Sequence, residues 1–193
     1  MLRTLFVGDV HSCAVELEML LDAVQPTRVI LLGDVFNKGP MPQKTWALIQ
    51  KWRCEAVLGN HDLAVIGAAS TQPPRVPIDA LDWLKSLPLL IRGGGWVAVH
   101  AGLNPEGETT EIQATRLRRW PDDSSKEHPF WWEVYRGSDL VVYGHDAARG
   151  LQDRRPHTLG LDSGCVYGGR LSGYILEEDR LVSVPAQATY RPV

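Results

Sequence analysis

The segment TLFVGDVH, residues 4–11, runs an apolar stretch into a glycine, then an aspartate and a histidine two positions apart. RVILLGD (28–34), EAVLGNHD (55–62), WVAVHAG (96–102) and LVVYGH (140–145) repeat that grammar. A short β-branched apolar run bounded by glycine reads as a buried strand. Each strand therefore ends in a turn that carries carboxylate, imidazole or amide groups.

Between the first three strands the pattern changes period. Val15, Leu17, Leu20, Leu21 and Val24 recur at helical spacing, so 14–24 is predicted as a helix closed by Pro26. Residues 42–52 place Trp46, Ile49 and Trp52 on one face of a second helix. With strands predicted at 2–7, 28–32 and 55–58, two strand-helix-strand units specify a parallel sheet. Farther along, 71–77 reads as a loop, 78–87 as a helix ended by Pro88, and 96–99 and 140–143 as strands. Residues 105–129 are polar and give only one helix, near 111–120. Strands are expected at 158–162, 170–176 and 181–184. Helices early and strands late predict an α/β sandwich of two mixed sheets flanked by helices.

The 193 residues set a prior of one domain, 1–193, at ~150 residues each. Lys plus Arg is 20 against Asp plus Glu 23, a net charge of −3, which excludes a general nucleic-acid binder. No apolar run reaches the ~18 residues of a membrane span, and residues 1–7 are too short for a signal-peptide core. Cys13, Cys54 and Cys165 are odd in number and lack CxxC spacing, which predicts reduced thiols in a cytoplasmic protein.

In an open α/β sheet, ligands gather outside the carboxyl ends of the strands, so the five turns are expected to converge. Four of the six histidines lie in them; His128 and His157 do not. The ligand set has no thiolate, which suits Mn²⁺, Fe, Zn²⁺ or Co²⁺ rather than Ca²⁺ or a structural zinc. Six ligands suit two divalent ions that share a bridging carboxylate. Such a pair activates a shared water and clamps the oxygens of an in-line displacement at phosphorus.

At these residues the chain resembles the phosphoprotein-phosphatase branch of the calcineurin-like metallophosphoesterases. GDVH (8–11), GDVFNKGP (33–40), GNHD (59–62), HAGL (100–103) and YGH (143–145) stand in the family order. LDSGCVYGGRLSGY (161–174) is similar to the closing motif of bacterial symmetrical diadenosine tetraphosphatases and ApaH-like phosphatases. The resemblance implies a first metal held by Asp9, His11 and Asp34. It implies a second held by Asp34, Asn60, His100 and His145, with Asp34 bridging. His61 stands as the general acid, and Lys38 where relatives carry a phosphate-binding arginine. Asn37 stands where many carry the aspartate that pairs with the acid histidine; the adjacent Asp62 is a candidate substitute. Arg116, Arg118 and Arg119 are all available as the second phosphate-binding arginine, with Arg118 taken as the candidate.

The activity implied is metal-dependent hydrolysis of a dinucleoside polyphosphate, Ap4A to two ADP, by in-line attack of a metal-bridging hydroxide. The alternative is a Ser/Thr (Tyr) phosphoprotein phosphatase with the same two-metal site. A non-catalytic scaffold would be expected to have lost ligands, whereas all six ligand types are present. The expected partners are a phosphorylated small molecule, a nucleotide or phosphoproteins, with no membrane and no stable nucleic-acid partner. Three further residues read as structural: Trp131-Trp132 as core rather than a base-stacking platform, Cys165 as a buried hydrophobe, and Asp162 as an orienting or turn contact. The arginines at 149–155 read as a solvated face.

Overall fold

Strand alternation explains how the layers form in the computed structural model of the chain, which describes residues 2–73 and 75–192. The first sheet has the order β10-β9-β1-β2-β3, built from β1 (Thr4–Val7), β2 (Arg28–Leu31), β3 (Glu55–Ala56), β9 (Arg170–Ile175) and β10 (Arg180–Pro185). The second has the order β4-β5-β6-β8-β7, built from β4 (Leu90–Gly93), β5 (Trp96–Val99), β6 (Leu140–Tyr143), β7 (Gln152–Arg154) and β8 (Thr158–Gly160). Strands β1, β2 and β3 are parallel, as are β5, β6 and β8. The antiparallel members are β9 and β10 in one sheet and the edge strands β4 and β7 in the other.

Successive side chains of a strand point to opposite faces, and here the two faces enter different cores. Phe6, Ile30 and Leu32 pack against Trp96, Ala98, Val142 and Leu159 between the sheets. Their neighbours Leu5, Val7, Val29 and Leu31 turn outward onto helices α1 (Ala14–Val24), α2 (Pro42–Trp52) and α4 (Ile78–Lys85), meeting Leu17, Leu21, Ile49 and Leu84. Val97, Val99, Val141 and Tyr143 face a third cluster containing Trp131 and Trp132, from α6 (Trp131–Val134), and Ala114, from α5 (Glu111–Arg116). Each fully buried Leu, Ile, Val or Phe contributes about 1.5–3 kcal/mol, so strands buried on both faces anchor the loops at their ends. Trp131 and Trp132 are 0% and 5% exposed, so they serve the core.

The predicted strands and helices are found, four with the expected bounds, seven trimmed by one to four residues and the last strand longer by one residue at each end, and the strands β4 and β7 are additional. Both are edge strands, with exposed or half-exposed LIRG and QDR sequences that lack a two-sided apolar run. The arginine-rich stretch read as solvated thus contributes β7, although Asp153 and Arg154 are exposed. Helix α3 (Asn60–Ala68) begins inside the GNHD turn. All three cysteines are buried free thiols. No helix among the described residues is long and apolar enough to cross a membrane.

Candidate metal centre and active site

Five of the six parallel strands deliver one candidate side chain each from the carboxyl end: Asp9 after β1, Asp34 after β2, Asn60 after β3, His100 after β5 and His145 after β6. Hydrogen bonds between turns hold these ends in register. His11 N donates to Asp34 O at 2.8 Å, Ser12 N to Val35 O at 2.9 Å, and Gly144 N to His100 O at 2.8 Å. The turns are tight enough to force unusual backbone. Of the nine non-glycine residues with positive φ among the described residues, His11, Ser12, Asp34, Asn37, Lys38 and His145 all belong to them. Left-handed backbone costs such residues about 1–2 kcal/mol each, and strain of this kind concentrates at functional sites. Gly33 is required for a further reason: at φ +83°, a Cβ there would lie 2.8 Å from His100 Nδ1 and 2.9 Å from Gly59 Cα.

The six expected ligands come together, and Asp34 lies in their midst. Its Oδ1 is 3.4 Å from His100 Nε2, and its Oδ2 is 3.6 Å from His11 Nε2. Each oxygen faces a different half of the cluster, the disposition a bridging carboxylate needs. On one side, Asn60 Oδ1 lies 3.0 Å from both His100 Nε2 and His145 Nδ1, and those two nitrogens are 3.2 Å apart. Asp9 completes the set: its carboxylate groups with Asp34 and His100, with ligand atoms within 4.8 Å of one another. Its Oδ1 accepts His145 N at 3.0 Å.

The ring protons decide what this cluster can bind. His100 Nδ1 donates to Leu32 O at 2.7 Å and His11 Nδ1 to Phe36 O at 3.3 Å. Both rings therefore present a bare Nε2 lone pair to the centre, the arrangement by which backbone carbonyls orient metal-binding histidines. The contact between His100 Nε2 and Asn60 Oδ1 then sets acceptor against acceptor, which a cation resolves.

Charge leads the same way. Burial pushes the Asp34 carboxyl up to about 7. Asp9 is raised by burial and by the facing Asp162 and Asp34. Burial drives His100 down to about 4 and His145 to about 2, the latter helped by His100, and it lowers His11 as well. Neutral imidazoles and crowded buried carboxyls, with no buried cationic side chain among the described residues, fit divalent ions.

His61, 29% exposed at its side chain, sits at the rim with Nε2 4.0 Å from Asp34 Oδ2. Its Nδ1 is 3.1 Å from Asn37 Nδ2, while Asn37 Oδ1 accepts Lys38 N at 2.9 Å. The Lys38 N–H fixes which way the amide points, because a flipped amide would set donor against donor. Asn37 thus donates to Nδ1 and leaves the His61 proton on Nε2, facing the centre. The candidate substitute Asp62 does not take part. It is fully buried, its Oδ1 accepting from Val35 N and Phe36 N and its Oδ2 from Gly59 N. Its work is to tie the start of α3 to the Asp34 turn.

A cleft of about 650 Å³ opens over the cluster. Of the three candidate arginines, Arg118 lines it, with Nε 3.7 Å from Asp146 Oδ1. Arg119 turns away, its guanidinium 4.2 Å over the Phe130 ring, and Arg116 is exposed on α5 outside the cleft wall. Lys38 lines the cleft with Nζ donating to Tyr167 Oη at 2.7 Å. Asp162 and Arg191 also line the cleft. Asp162 faces Asp9, whose carboxyl its charge helps push up, and accepts Gly164 N at 3.0 Å. It follows β8 as Asp9 follows β1, a signal present in the sequence. Nothing in the sequence pattern marks Arg191.

A two-layer sheet core with carboxylate, imidazole and amide ligands converging at the strand ends defines a metal-dependent phosphoesterase. The chain belongs to the calcineurin-like phosphoesterase family, whose sequence model matches residues 2–168. It is 26% identical over 269 residues to the symmetrical bis(5′-nucleosyl)-tetraphosphatase of Chromobacterium violaceum, covering 97% of this chain and 96% of the relative. The enzyme of the same description from Paracidovorax citrulli is 29% identical over 276 residues, covering 96% and 98%. These alignments exceed the 193 residues of this chain, so the relatives carry insertions that it lacks. A crystal structure assigned provisionally to a diadenosine tetraphosphatase superposes with a TM-score of 0.89 at 33% identity, covering 95% of this chain and 93% of that one. The metallophosphoesterase from Sphaerobacter thermophilus shares the fold, with a TM-score of 0.62 at 18% identity over 96% and 88% of the chains. The protein is thus a phosphohydrolase of a family that works with divalent metal ions.

Proposed function

We propose that the chain hydrolyses phosphoanhydrides of nucleotides, with a dinucleoside polyphosphate such as Ap4A cut symmetrically to two ADP as the preferred substrate. The observation that carries this reading is the Asn37–His61 contact. An amide donating to Nδ1 opposes protonation of that nitrogen, so His61 works as a neutral ring with its proton on Nε2. Burial and the nearby Lys38 charge act in the same direction, lowering His61 to about 4. A neutral imidazole is a hydrogen-bond donor of modest acidity, comparable to electrophilic histidines elsewhere. That suffices for a leaving phosphate oxygen, which is a weak base. The alkoxide of a serine or threonine ester is a far stronger base and calls for a stronger acid. The names of the relatives agree with this reading.

In this reading Asp9, His11 and Asp34 hold one ion, and Asp34, Asn60, His100 and His145 hold the other. Mn²⁺ is the favoured metal from the oxygen-and-imidazole donor set. Bound there, the ions supply an activated water and neutralise charge on the phosphoryl oxygens. The remaining work falls to the chain. Lys38 and Arg118 bind phosphoryl oxygens from the cleft wall. Tyr167 steadies the Lys38 ammonium, and His61 offers its Nε2 proton to the leaving oxygen. The substrate is then a nucleotide met in the cytoplasm.

The test is product analysis with a panel of Ap4A, a serine phosphopeptide and p-nitrophenyl phosphate in Mn²⁺. Ap4A turnover above phosphopeptide turnover, with ADP as the sole nucleotide product, supports the reading. Phosphopeptide turnover far above that of Ap4A overturns it in favour of a phosphoprotein phosphatase.

A further inference from the structure

The segment 186–192 lies beyond the stretch that the family's sequence model matches, yet it is fastened onto the site with unusual care. Ala186 N donates to Gly169 O at 2.9 Å and Arg191 N to Val166 O at 2.9 Å, so the segment runs along the 163–169 turn that carries Tyr167. Glu16 is the other anchor. It is 0% exposed on α1, inside the apolar cluster beneath the first sheet, a costly place for a carboxylate. The donors to its Oε1 are Gln187 N at 2.7 Å and Tyr190 Oη at 2.8 Å, both from this segment. Gly168 has φ +91°, and a Cβ there would collide with Thr189 Oγ1, so the turn is shaped to let the segment pass.

The strap ends by setting Arg191 in the wall of the cleft. Arg191 also lines a neighbouring cavity of about 460 Å³, and the two spaces share Lys38 and His61 as well. Arg118 lines the main cleft but not this second cavity. The two arginines therefore serve different ends of whatever occupies the cleft. Arg191 belongs to the end marked by His61, where the leaving group departs.

Resting on the reading of the site given above, we propose that Arg191 is a substrate-binding residue for the phosphate next to the one attacked. The strap anchored on Glu16 makes the cleft selective for phosphate chains over single phosphate groups. A guanidinium binds a phosphate through paired charge-assisted hydrogen bonds. A diphosphate offers this wall a second phosphate beside the one at the centre, whereas orthophosphate offers none.

Calorimetric titration of Mn²⁺-loaded protein with ADP and with orthophosphate tests this whether or not Ap4A is cleaved. Arg191→Ala should weaken ADP about tenfold and leave orthophosphate within about twofold, and Arg191→Lys should recover part of the loss. Unchanged ADP affinity in Arg191→Ala, an equal loss for both ligands, or a wild type that binds ADP no better than orthophosphate would each overturn the proposal. Failure of the nucleotide reading shows elsewhere, in the Ap4A and phosphopeptide comparison, so the two are separable.

Discussion

Replacing Asn37 with aspartate asks whether one amide sets the acidity of the site and thereby its substrate class. In the wild type the amide nitrogen lies 3.1 Å from His61 Nδ1, and the ring is held at about 4 by burial, Lys38 and His100. A carboxylate at that distance accepts from Nδ1–H and favours the imidazolium. An opposite charge within ~4–6 Å moves a titrating group by roughly 1–3 units, with solvent at the rim favouring the lower part of that range. His61 would then titrate between about 5 and about 7. At pH 7 its protonated fraction would rise from about one molecule in a thousand to between about one in a hundred and one half. The assay is kcat for an alkyl phosphomonoester and for Ap4A in parallel, with the His61 titration followed by NMR. Alkyl ester turnover should rise on the order of tenfold, because its leaving group needs the proton. Ap4A turnover should change by less than about threefold. Equal acceleration of both substrates, or a confirmed rise in the His61 titration with no change in alkyl ester turnover, would refute the reasoning.

Further outcomes are expected from other perturbations. Asp34→Asn removes the carboxylate whose two oxygens face the two halves of the cluster, so turnover and paired metal binding should be lost together; near-normal turnover would contradict the assignment. His61→Asn should leave metal content unchanged and slow turnover by a factor on the order of 10²–10⁴, with the smaller losses for the better leaving groups. Gly33→Ala, forced into positive φ against His100, should lower Tm by roughly 2–8 °C, reflecting about 1–2 kcal/mol in a chain of this size. In chelator-treated protein two opposing pH effects meet. Asp34 is raised to about 7, so the fold holds its proton more tightly than the unfolded chain, and stability falls as pH rises toward and through that value. The histidines held at about 4 or below act oppositely, and their contribution is lost as pH falls below about 6.5. Metal-free Tm should therefore rise through pH 6 and level off near pH 7, while the increase on adding Mn²⁺ should be larger at pH 8 than at pH 6. A metal-free Tm that climbs steadily to pH 8 would contradict this.

The fold was legible wherever burial imposed a strict pattern. The runs 4–7, 28–31, 96–99 and 140–143 are apolar on both faces because the structure buries both, and glycine with its polar neighbours marks where each one ends. The two strands that escaped notice, β4 and β7, are edges with one face open to solvent, so no period forced their composition. Helix α3 was obscured because its first residues do two jobs: Asn60 faces the metal cluster while Asp62 ties the helix start to the Asp34 turn. The convergence of the six candidate side chains could be anticipated because each follows a strand. The choice among Arg116, Arg118 and Arg119 could not, since it depends on which way a loop turns after α5. Asp162 carried a usable signal, a carboxylate just beyond a strand, and the turn contact expected of it is found in its bond from Gly164 N. Arg191 had none, because its place in the cleft is fixed by Glu16, a residue more than 170 positions away.

The central claim is that Asp9, His11, Asp34, Asn60, His100 and His145 hold a pair of divalent ions, and anomalous diffraction from Mn²⁺-soaked crystals tests it most directly. The account predicts two anomalous peaks ~3.5–4 Å apart with an Asp34 oxygen on each. A single peak, or two peaks that do not share Asp34, would contradict it.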